Sequence, residues 1–129
     1  MIDHIGLAVT DIERSRAFYD AALGAIGLAK IAEVTPQQTE SGGTAIGYGK
    51  DGNPFFWVGD NERVGEGTHV AFTVERRAEV DAFHSAALAA GGREDGAPGL
   101  RPIYGPNYYA AFVHDPDGIN VEAVCHLEA

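Results

Sequence analysis

The chain has 129 residues, of which 45% are apolar and 22% charged, so we expect one globular domain with its own core rather than a disordered or fibrous protein. Its formal net charge of −10 argues against nucleic acid and membrane surfaces as partners, because both attract clustered basic side chains. The chain has a single cysteine, Cys125, so an intrachain disulfide is excluded. Because the sequence shows neither a membrane-spanning apolar stretch nor a leader-like start, we expect a cytoplasmic protein.

The chain repeats its opening sequence. Residues 4–27 and 69–92 align without a gap at an offset of 65 residues, and the two copies begin with His4 and His69. Alternation in each opening segment predicts a strand with large apolar residues on one face. The other face carries the histidine followed by small residues, which is typical of a face that lines a cavity. Two copies are too few for a solenoid, so the repeat predicts one domain made of two equivalent modules.

Both modules carry the same predicted order of elements. Each opening strand is followed by a helix that ends at closely spaced glycines, and three more strands come after it. These later strands are predicted at 28–35, 43–49 and 54–59 in the first copy and at 92–97, 107–114 and 119–125 in the second. Segment 98–106 is rich in proline and glycine and is expected to be a loop. The prediction is one α+β domain in which two βαβββ modules, 1–59 and 68–129, are joined by a linker at 60–67.

Three residues form a candidate metal site. His4 and His69 begin equivalent strands, so a pseudo-twofold axis between the modules would bring them together. Glu122 lies in the middle of an apolar strand, where a carboxylate needs a partner because an unpaired buried charge is costly. Two histidines and one carboxylate hold a divalent ion and leave coordination positions open, and this pattern fits Fe, Mn, Ni or Zn equally. The alternative is that each histidine is an ordinary surface or hydrogen-bonded residue.

The position of module one that corresponds to Glu122 carries an aromatic residue. Matching the two Asp-Gly turns places Phe56 there, whereas the strict offset of 65 residues places Trp57 there. Neither side chain binds a metal. Either would provide an apolar wall for a planar or hydrophobic substrate, and the alternative for each is ordinary core packing.

The aromatic segment 104–109 supplies further candidates. Strand alternation puts Tyr108 and Tyr109 on opposite faces, so we expect only one of them to face the cavity. We take Tyr109 as a candidate general acid that acts with Glu122, and Arg101 as a weaker candidate. The candidate substrate contacts are Phe56, Trp57, Tyr104, Asn107 and Tyr108. The alternative for the tyrosines is aromatic packing at a rim.

The sequence resembles the vicinal oxygen chelate superfamily, which includes glyoxalase I, extradiol dioxygenases and bleomycin-resistance proteins. The resemblance covers almost the whole chain, and the residues that carry it are His4 to Val9 with Asp11, Ser15 and Phe18-Tyr19, the strand His69 to Phe72, and Phe112-Val113 with Asp115-Pro116-Asp117-Gly118 leading to Asn120-Val121-Glu122. It implies a cup-shaped, eight-stranded mixed sheet built from two βαβββ modules, the glyoxalase/bleomycin resistance/dihydroxybiphenyl dioxygenase fold. It also implies a homodimer and metal ligands at His4, His69 and Glu122.

Two functions are compatible with this resemblance. The first is a metal-dependent enzyme that acts on a small substrate with vicinal oxygens, as a dioxygenase or as a glyoxalase-like lyase or isomerase. Glyoxalase I-like enzymes have a fourth ligand, a Glu, where this chain has Phe56 or Trp57, so the usual glyoxalase I activity is disfavoured. The chain instead matches the three-ligand metal site of extradiol dioxygenases. The alternative is a protein of the bleomycin-resistance type that sequesters an antibiotic or a hydrophobic metabolite. It fits less well, because those relatives lack the metal ligands.

Overall fold

The computed structural model describes residues 1–39 and 41–129, and it contains both predicted modules. Module one comprises β1 (Ile5–Ala8), α1 (Ile12–Gly24), β2 (Ala29–Val34), β3 (Ala45–Lys50) and β4 (Asn53–Gly59). Module two comprises β5 (His69–Val74), α2 (Arg77–Ala89), β6 (Arg93–Leu100), β7 (Tyr109–His114) and β8 (Asn120–Cys125). The predicted βαβββ order is confirmed in both halves. Neither helix is long and apolar enough to cross a membrane, and the same holds throughout the described ranges.

Each module forms its own four-stranded mixed sheet. The strand orders are β1-β4-β3-β2 and β5-β8-β7-β6. In both sheets the first strand runs parallel to the last, and the other neighbouring pairs are antiparallel. All eight predicted strands are therefore present, and they form two sheets of four. Strands β1 and β5 lie at equivalent edges, where one side of each backbone is unpaired within its sheet.

The two sheets and the two helices share one apolar core. Phe18 of α1 and Phe83 of α2 are fully buried in it. The rings of Phe56 on β4 and Phe72 on β5 pack against each other with their centroids 5.1 Å apart. Burial of a side chain of this size contributes about 1.5–3 kcal/mol. Cys125 is also fully buried there, as expected for a small apolar side chain. Because side chains alternate along a strand, the residues between these core positions point away from the shared core.

The turn between β7 and β8 is hydrogen-bonded to module one. The Tyr19 hydroxyl donates a hydrogen bond of 2.7 Å to Asp115, and the Thr10 hydroxyl donates to Asp117. Burial raises the pKa of Asp115 above its usual value, although hydrogen bonds from the Ile119 N–H and from Tyr19 oppose the shift. Burial, together with the charge of Asp115, also holds the pKa of Tyr19 well above its usual value. The Asp-Pro-Asp-Gly turn therefore joins the two modules as well as two strands.

The prediction of a loop at 98–106 is wrong at both ends. Strand β6 continues through Pro98 to Leu100, and the loop covers 101–108, so β7 begins two residues later than predicted. The register of β6 against β7 shifts between Gly96 and Gly99. Proline lacks the N–H that a regular ladder needs, but an irregular edge strand tolerates it, and β6 is such a strand.

Candidate metal and substrate site

Glu122 is a buried carboxylate in the middle of β8. Its neighbours Val121 and Ala123 pack into the core, so Glu122 projects from the opposite face of the sheet. The residue is only 1% exposed. It accepts a short hydrogen bond from the Tyr108 hydroxyl, and one of its oxygens lies 3.0 Å from Nε2 of His69. The predicted need for partners around this carboxylate is confirmed.

The His69 ring is held by contacts at both nitrogens. Nδ1 lies 3.2 Å from the backbone oxygen of Asn120, and Nε2 lies 3.0 Å from Oε1 of Glu122. A neutral ring that donates Nδ1–H to the carbonyl presents a lone pair at Nε2 toward the carboxylate. That arrangement needs either a second ring proton or a cation shared by the two atoms. Two ligands at right angles around a divalent ion, each bonded at about 2.1 Å, lie about 3 Å apart, so the observed spacing fits a pair of adjacent ligands.

His4 lies apart from this pair. Its side chain is 60% exposed, and its Nδ1 contacts Oδ1 of Asp3 at 2.8 Å. Across residues 1–39 and 41–129, no three His, Cys, Asp or Glu side chains gather closely enough to hold a metal ion. One chain therefore brings together two of the three predicted ligands, His69 and Glu122. The role of His4 stays a prediction.

Trp57 is the counterpart of Glu122 in module one. Gly6 pairs with Trp57 across β1 and β4, as Ala71 pairs with Glu122 across β5 and β8. The strict offset of 65 residues is thus the right alignment. The half-buried indole packs over Gly47, where a Cβ would come within 2.9 Å of three ring atoms. Only a glycine leaves room for the ring in this position.

Phe56 lies on the core face of β4, so the expectation that it faces a substrate is wrong. Its ring is fully buried, with the Tyr19 ring at 5.2 Å and the Phe72 ring at 5.1 Å. Matching the two Asp-Gly dipeptides misplaced it by one residue, because Asp51-Gly52 and Asp117-Gly118 are offset by 66 residues, whereas the strands that they join are offset by 65. A shift of one residue along a strand moves a side chain to the opposite face.

The two adjacent tyrosines face opposite sides of their sheet, as predicted. The Tyr108 hydroxyl donates to Glu122; burial raises the pKa of Tyr108 to about 12, and the bond to Glu122 adds to the shift. The Tyr109 hydroxyl instead donates to Asp81 of α2 at 2.7 Å, and the Arg77 guanidinium lies 5.2 Å from the centre of its ring. Tyr109 therefore makes no contact with Glu122 that would support its predicted catalytic role. Tyr108 makes the contact that was expected of Tyr109.

The other candidates from this segment lie in the loop that precedes β7. The Tyr104 ring is 5.3 Å from that of Tyr108, and Tyr104 is largely exposed at 65%. Asn107 is half-buried in the same loop. Their contact with a substrate stays a prediction.

Phe112 lies between the His69–Glu122 pair and Arg101, although the sequence pointed to it only through the family resemblance and not as a site residue. Phe112 pairs with Glu122 across β7 and β8, so it lies on the same face. Its ring stacks against the His69 ring, with centroids 6.2 Å apart and planes at 23°. The Arg101 guanidinium lies 5.5 Å from the centre of the same ring. Alternation could have placed Phe112 on this face, whereas the position of Arg101 depends on how the loop folds.

The corresponding face of module one borders an open cavity of about 590 Å³. The small side of β1 contributes Gly6 and Ala8, as the alternation predicted, and Trp57 forms part of the wall. Ala45 of β3 and Gly59 of β4 are further small residues in its lining. The cavity therefore combines small residues and one large aromatic ring with the charged side chains of Asp60, Glu62 and Arg63.

The family of the chain follows from comparison with known proteins. The model of the Glyoxalase/Bleomycin resistance protein/Dioxygenase superfamily matches residues 1–123. The chain belongs to this superfamily, and the resemblance inferred from the sequence is confirmed. No curated protein matches the chain.

Several solved structures share the fold. A glyoxalase/bleomycin resistance protein from Albidiferax ferrireducens is 28% identical, with 97% of this chain and 98% of the other aligned and a TM-score of 0.73. Glyoxalase I from Zea mays is 25% identical with a TM-score of 0.69; the alignment covers 96% of this chain but only 45% of the maize chain, so this chain spans less than half of it. A glyoxalase-related enzyme from Fulvimarina pelagi, at 22% identity and a TM-score of 0.68 over 97% of this chain and 87% of the other, supports the fold alone.

Proposed function

We propose that the protein is a divalent-metal-dependent enzyme that acts on a small substrate with vicinal oxygens. His69 and Glu122 supply two ligands, and His4 of a second copy of the chain supplies the third. The observation that carries the proposal is the 3.0 Å approach of the His69 Nε2 to a carboxylate that is 1% exposed. The Asn120 carbonyl beside Nδ1 supports it, because a metal-binding histidine usually donates its other ring N–H to such an acceptor.

The donor set also fits the metal. One imidazole nitrogen and one carboxylate oxygen are ligands that Fe, Mn, Ni and Zn all accept. A buried carboxylate that faces an acceptor lone pair is a costly arrangement, and a shared cation removes that cost. When bound, the ion supplies Lewis-acid activation of a chelated substrate and, for Fe(II), a position for dioxygen. The side chains around it determine what binds and in which orientation.

A second copy of the chain is proposed because a single chain leaves the site incomplete. His4 is exposed and forms no three-residue cluster with His69 and Glu122, and it lies between Ile2 and Ile5, which are 83% and 39% exposed. These apolar side chains lie beside the free edge of β1, and β5, which carries His69, is also an edge strand. Contact between the edge of β1 in one copy and the edge of β5 in another would bury the isoleucines. It would also place His4 beside the pair of ligands.

Two side chains, Tyr108 and Trp57, have proposed tasks in substrate binding. The Tyr108 hydroxyl donates a hydrogen bond to Glu122, so it fixes the orientation of the carboxylate and keeps the phenol proton beside the reacting oxygens. The raised pKa of Tyr108 keeps the phenol protonated at neutral pH. In the proposed dimer, Trp57 of the second copy faces the site as an apolar wall. Because Trp57 replaces a fourth ligand, more coordination positions stay open to substrate.

Metal analysis tests the proposal. The wild-type protein, purified after exposure to each candidate metal, is expected to retain close to one ion per chain, and Glu122→Gln less than about 0.1. The matched control is Glu94→Gln, which removes a carboxylate that contacts His84 at 2.6 Å on the surface. Equal metal content in wild type and Glu122→Gln, or less than about 0.1 ion in both, would refute the metal site.

The second candidate function is a binding protein of the bleomycin-resistance type. The cavity of about 590 Å³ beside Trp57 favours it, since an aromatic wall and small residues suit a hydrophobic ligand. The two functions differ in whether binding depends on the metal. Binding of a hydrophobic ligand that quenches Trp57 fluorescence equally before and after chelation, and equally in His69→Ala, would favour the binding protein. The cytoplasmic location stays a prediction under both.

A further inference from the structure

The guanidinium of Arg101 lies on the same face of the sheet as Glu122 and His69. We propose that it binds an oxyanion group of the substrate, a carboxylate or a phosphonate, in addition to the vicinal oxygens bound at the metal. The inference rests on the proposed function for the position of the vicinal oxygens. The anion subsite itself depends only on the contacts of Arg101.

Arg101 is held in place by the backbone of β6. Nη1 donates to the Gly99 carbonyl and Nη2 to the Ala97 carbonyl, both at 2.8 Å. The guanidinium lies over two glycines, since a Cβ at Gly96 would come within 3.1 Å of Nη2 and one at Gly99 within 3.2 Å of Nη1. The Phe112 ring supports it from the side at 5.5 Å. A flexible side chain is therefore fixed before any ligand arrives, which reduces the entropic cost of binding.

The positive charge of Arg101 lacks a carboxylate partner within the described residues. By contrast, Arg16 is paired with Glu13 and Glu33 on the surface. Two of the five guanidinium N–H groups of Arg101 are used by carbonyls, so three remain for a ligand. A planar guanidinium with free N–H groups binds carboxylate and phosphonate oxygens by charge-assisted hydrogen bonds. In a chain of net charge −10, such a fixed cation beside a candidate site favours an anionic ligand.

The position of Arg101 indicates how the ligand lies. The strand order β5-β8-β7-β6 places His69, Glu122 and Phe112 in a row, with Arg101 beyond Phe112 on the β6 side. Ring contacts of 6.2 Å and 5.5 Å lead from His69 through Phe112 to the guanidinium. If one end of a ligand is chelated by the metal and the other end pairs with Arg101, its middle part would pack on the Phe112 ring. That middle part would have to be short and either planar or apolar. The substrate class is thus a small oxygenated anion with its charged group remote from its vicinal oxygens.

Two probes that differ only in the anionic group test the subsite. Catechol offers vicinal oxygens alone, and 3,4-dihydroxybenzoate adds a carboxylate across the ring. Affinities are measured by calorimetry on the zinc-reconstituted full-length protein, because zinc binds such ligands without redox turnover. The variants are Arg101→Gln, Arg101→Lys and the control Arg76→Gln, which removes the same charge from a surface ion pair with Glu79.

The wild-type protein and Arg76→Gln are expected to bind 3,4-dihydroxybenzoate at least about tenfold more tightly than catechol. Arg101→Gln is expected to lose this preference while keeping its affinity for catechol, and Arg101→Lys to retain part of it. A wild-type protein without the preference overturns the inference, whether or not the variants fold. A preference that persists in a folded Arg101→Gln also overturns it.

The failure of this inference is distinguishable from the failure of the proposed function. Zinc-dependent binding of both probes with equal affinity overturns the Arg101 subsite and supports the metal site. Zinc-independent binding of 3,4-dihydroxybenzoate alone, lost in Arg101→Gln, supports the subsite and overturns the metal site. Absence of binding by either probe to a zinc-loaded protein overturns the subsite.

Discussion

His69 and Glu122 lie side by side on neighbouring parallel strands, with Nε2 and Oε1 3.0 Å apart, yet their burial differs sharply. The side chain of Glu122 is 2% exposed and that of His69 is 43% exposed. The cause is topological, because Glu122 belongs to an internal strand and His69 to the edge strand β5. The open side of the pair is therefore the side of the imidazole, and a third ligand and a substrate would approach from there.

The pKa of Tyr108 tests the contact between Tyr108 and Glu122. Burial and the bond to Glu122 raise this pKa to about 12, so Glu122→Gln, which removes the charge but not the burial, is expected to lower it part of the way toward 10. Because the folded-state pKa is raised, the stabilisation by the protonated phenol is complete below pH 10 and is lost as the pH rises from 10 to about 12. Ultraviolet difference titration of the phenols measures the shift. The Glu94→Gln control should leave the titration unchanged, and an identical titration in Glu122→Gln would refute the contact.

The packing of Trp57 over Gly47 gives a second prediction. Gly47→Ala is expected to displace the indole and to destabilise the fold by about 1–3 kcal/mol, because the added Cβ overlaps the ring. Trp57 is the single tryptophan of the chain, so its fluorescence maximum reports the displacement directly. Gly6→Ala is the matched control, since a Cβ there would lie 3.9 Å from the Trp57 Cβ, an ordinary contact. If Gly47→Ala has the emission maximum and stability of wild type, the described packing is incorrect.

The repeat predicted most of the fold, because strand alternation and helix ends are local properties of the sequence. The same offset identified Trp57 as the counterpart of Glu122, whereas the turns misplaced Phe56 because the Asp-Gly dipeptide lies at a different position within each hairpin. Pro98 was assigned to a loop because the sequence does not reveal that β6 is an irregular edge strand. The contacts of Tyr108 and Arg101 with the site depend on the folded loop 101–108. No periodic pattern encodes that loop.

The hydrogen bond between Tyr19 and Asp115 gives a prediction about the contact between the two modules. Tyr19→Phe is expected to cost about 1–3 kcal/mol of unfolding free energy at neutral pH, because a buried carboxylate loses a donor. The loss should be smaller in acid. The hydrogen bond from Tyr19 opposes the rise in the pKa of Asp115, so removing the hydroxyl raises that pKa further. The substitution therefore destabilises only the state in which Asp115 is ionised. Urea unfolding at pH 7 and pH 4 measures both values.

Tyr48→Phe is the control for this measurement. It removes a hydrogen bond of 2.9 Å to Asp20, which is exposed and can be rehydrated, so its cost should be smaller and independent of Asp115. Equal costs for Tyr19→Phe and Tyr48→Phe at both pH values would contradict the role assigned to Asp115.

The most direct test of a metal site shared between two copies of the chain is the metal content of a hybrid dimer in which one chain carries His4→Ala and the other Glu122→Gln. Hybrids are isolated through two different affinity tags. Such a dimer contains one intact site, because the Glu122→Gln chain lends its His4 to the His69 and Glu122 of its partner. We predict about one metal ion per hybrid dimer and less than about 0.1 per chain in either parent homodimer. A metal-free hybrid, or a His4→Ala homodimer that is fully loaded, would contradict a site shared between two copies of the chain.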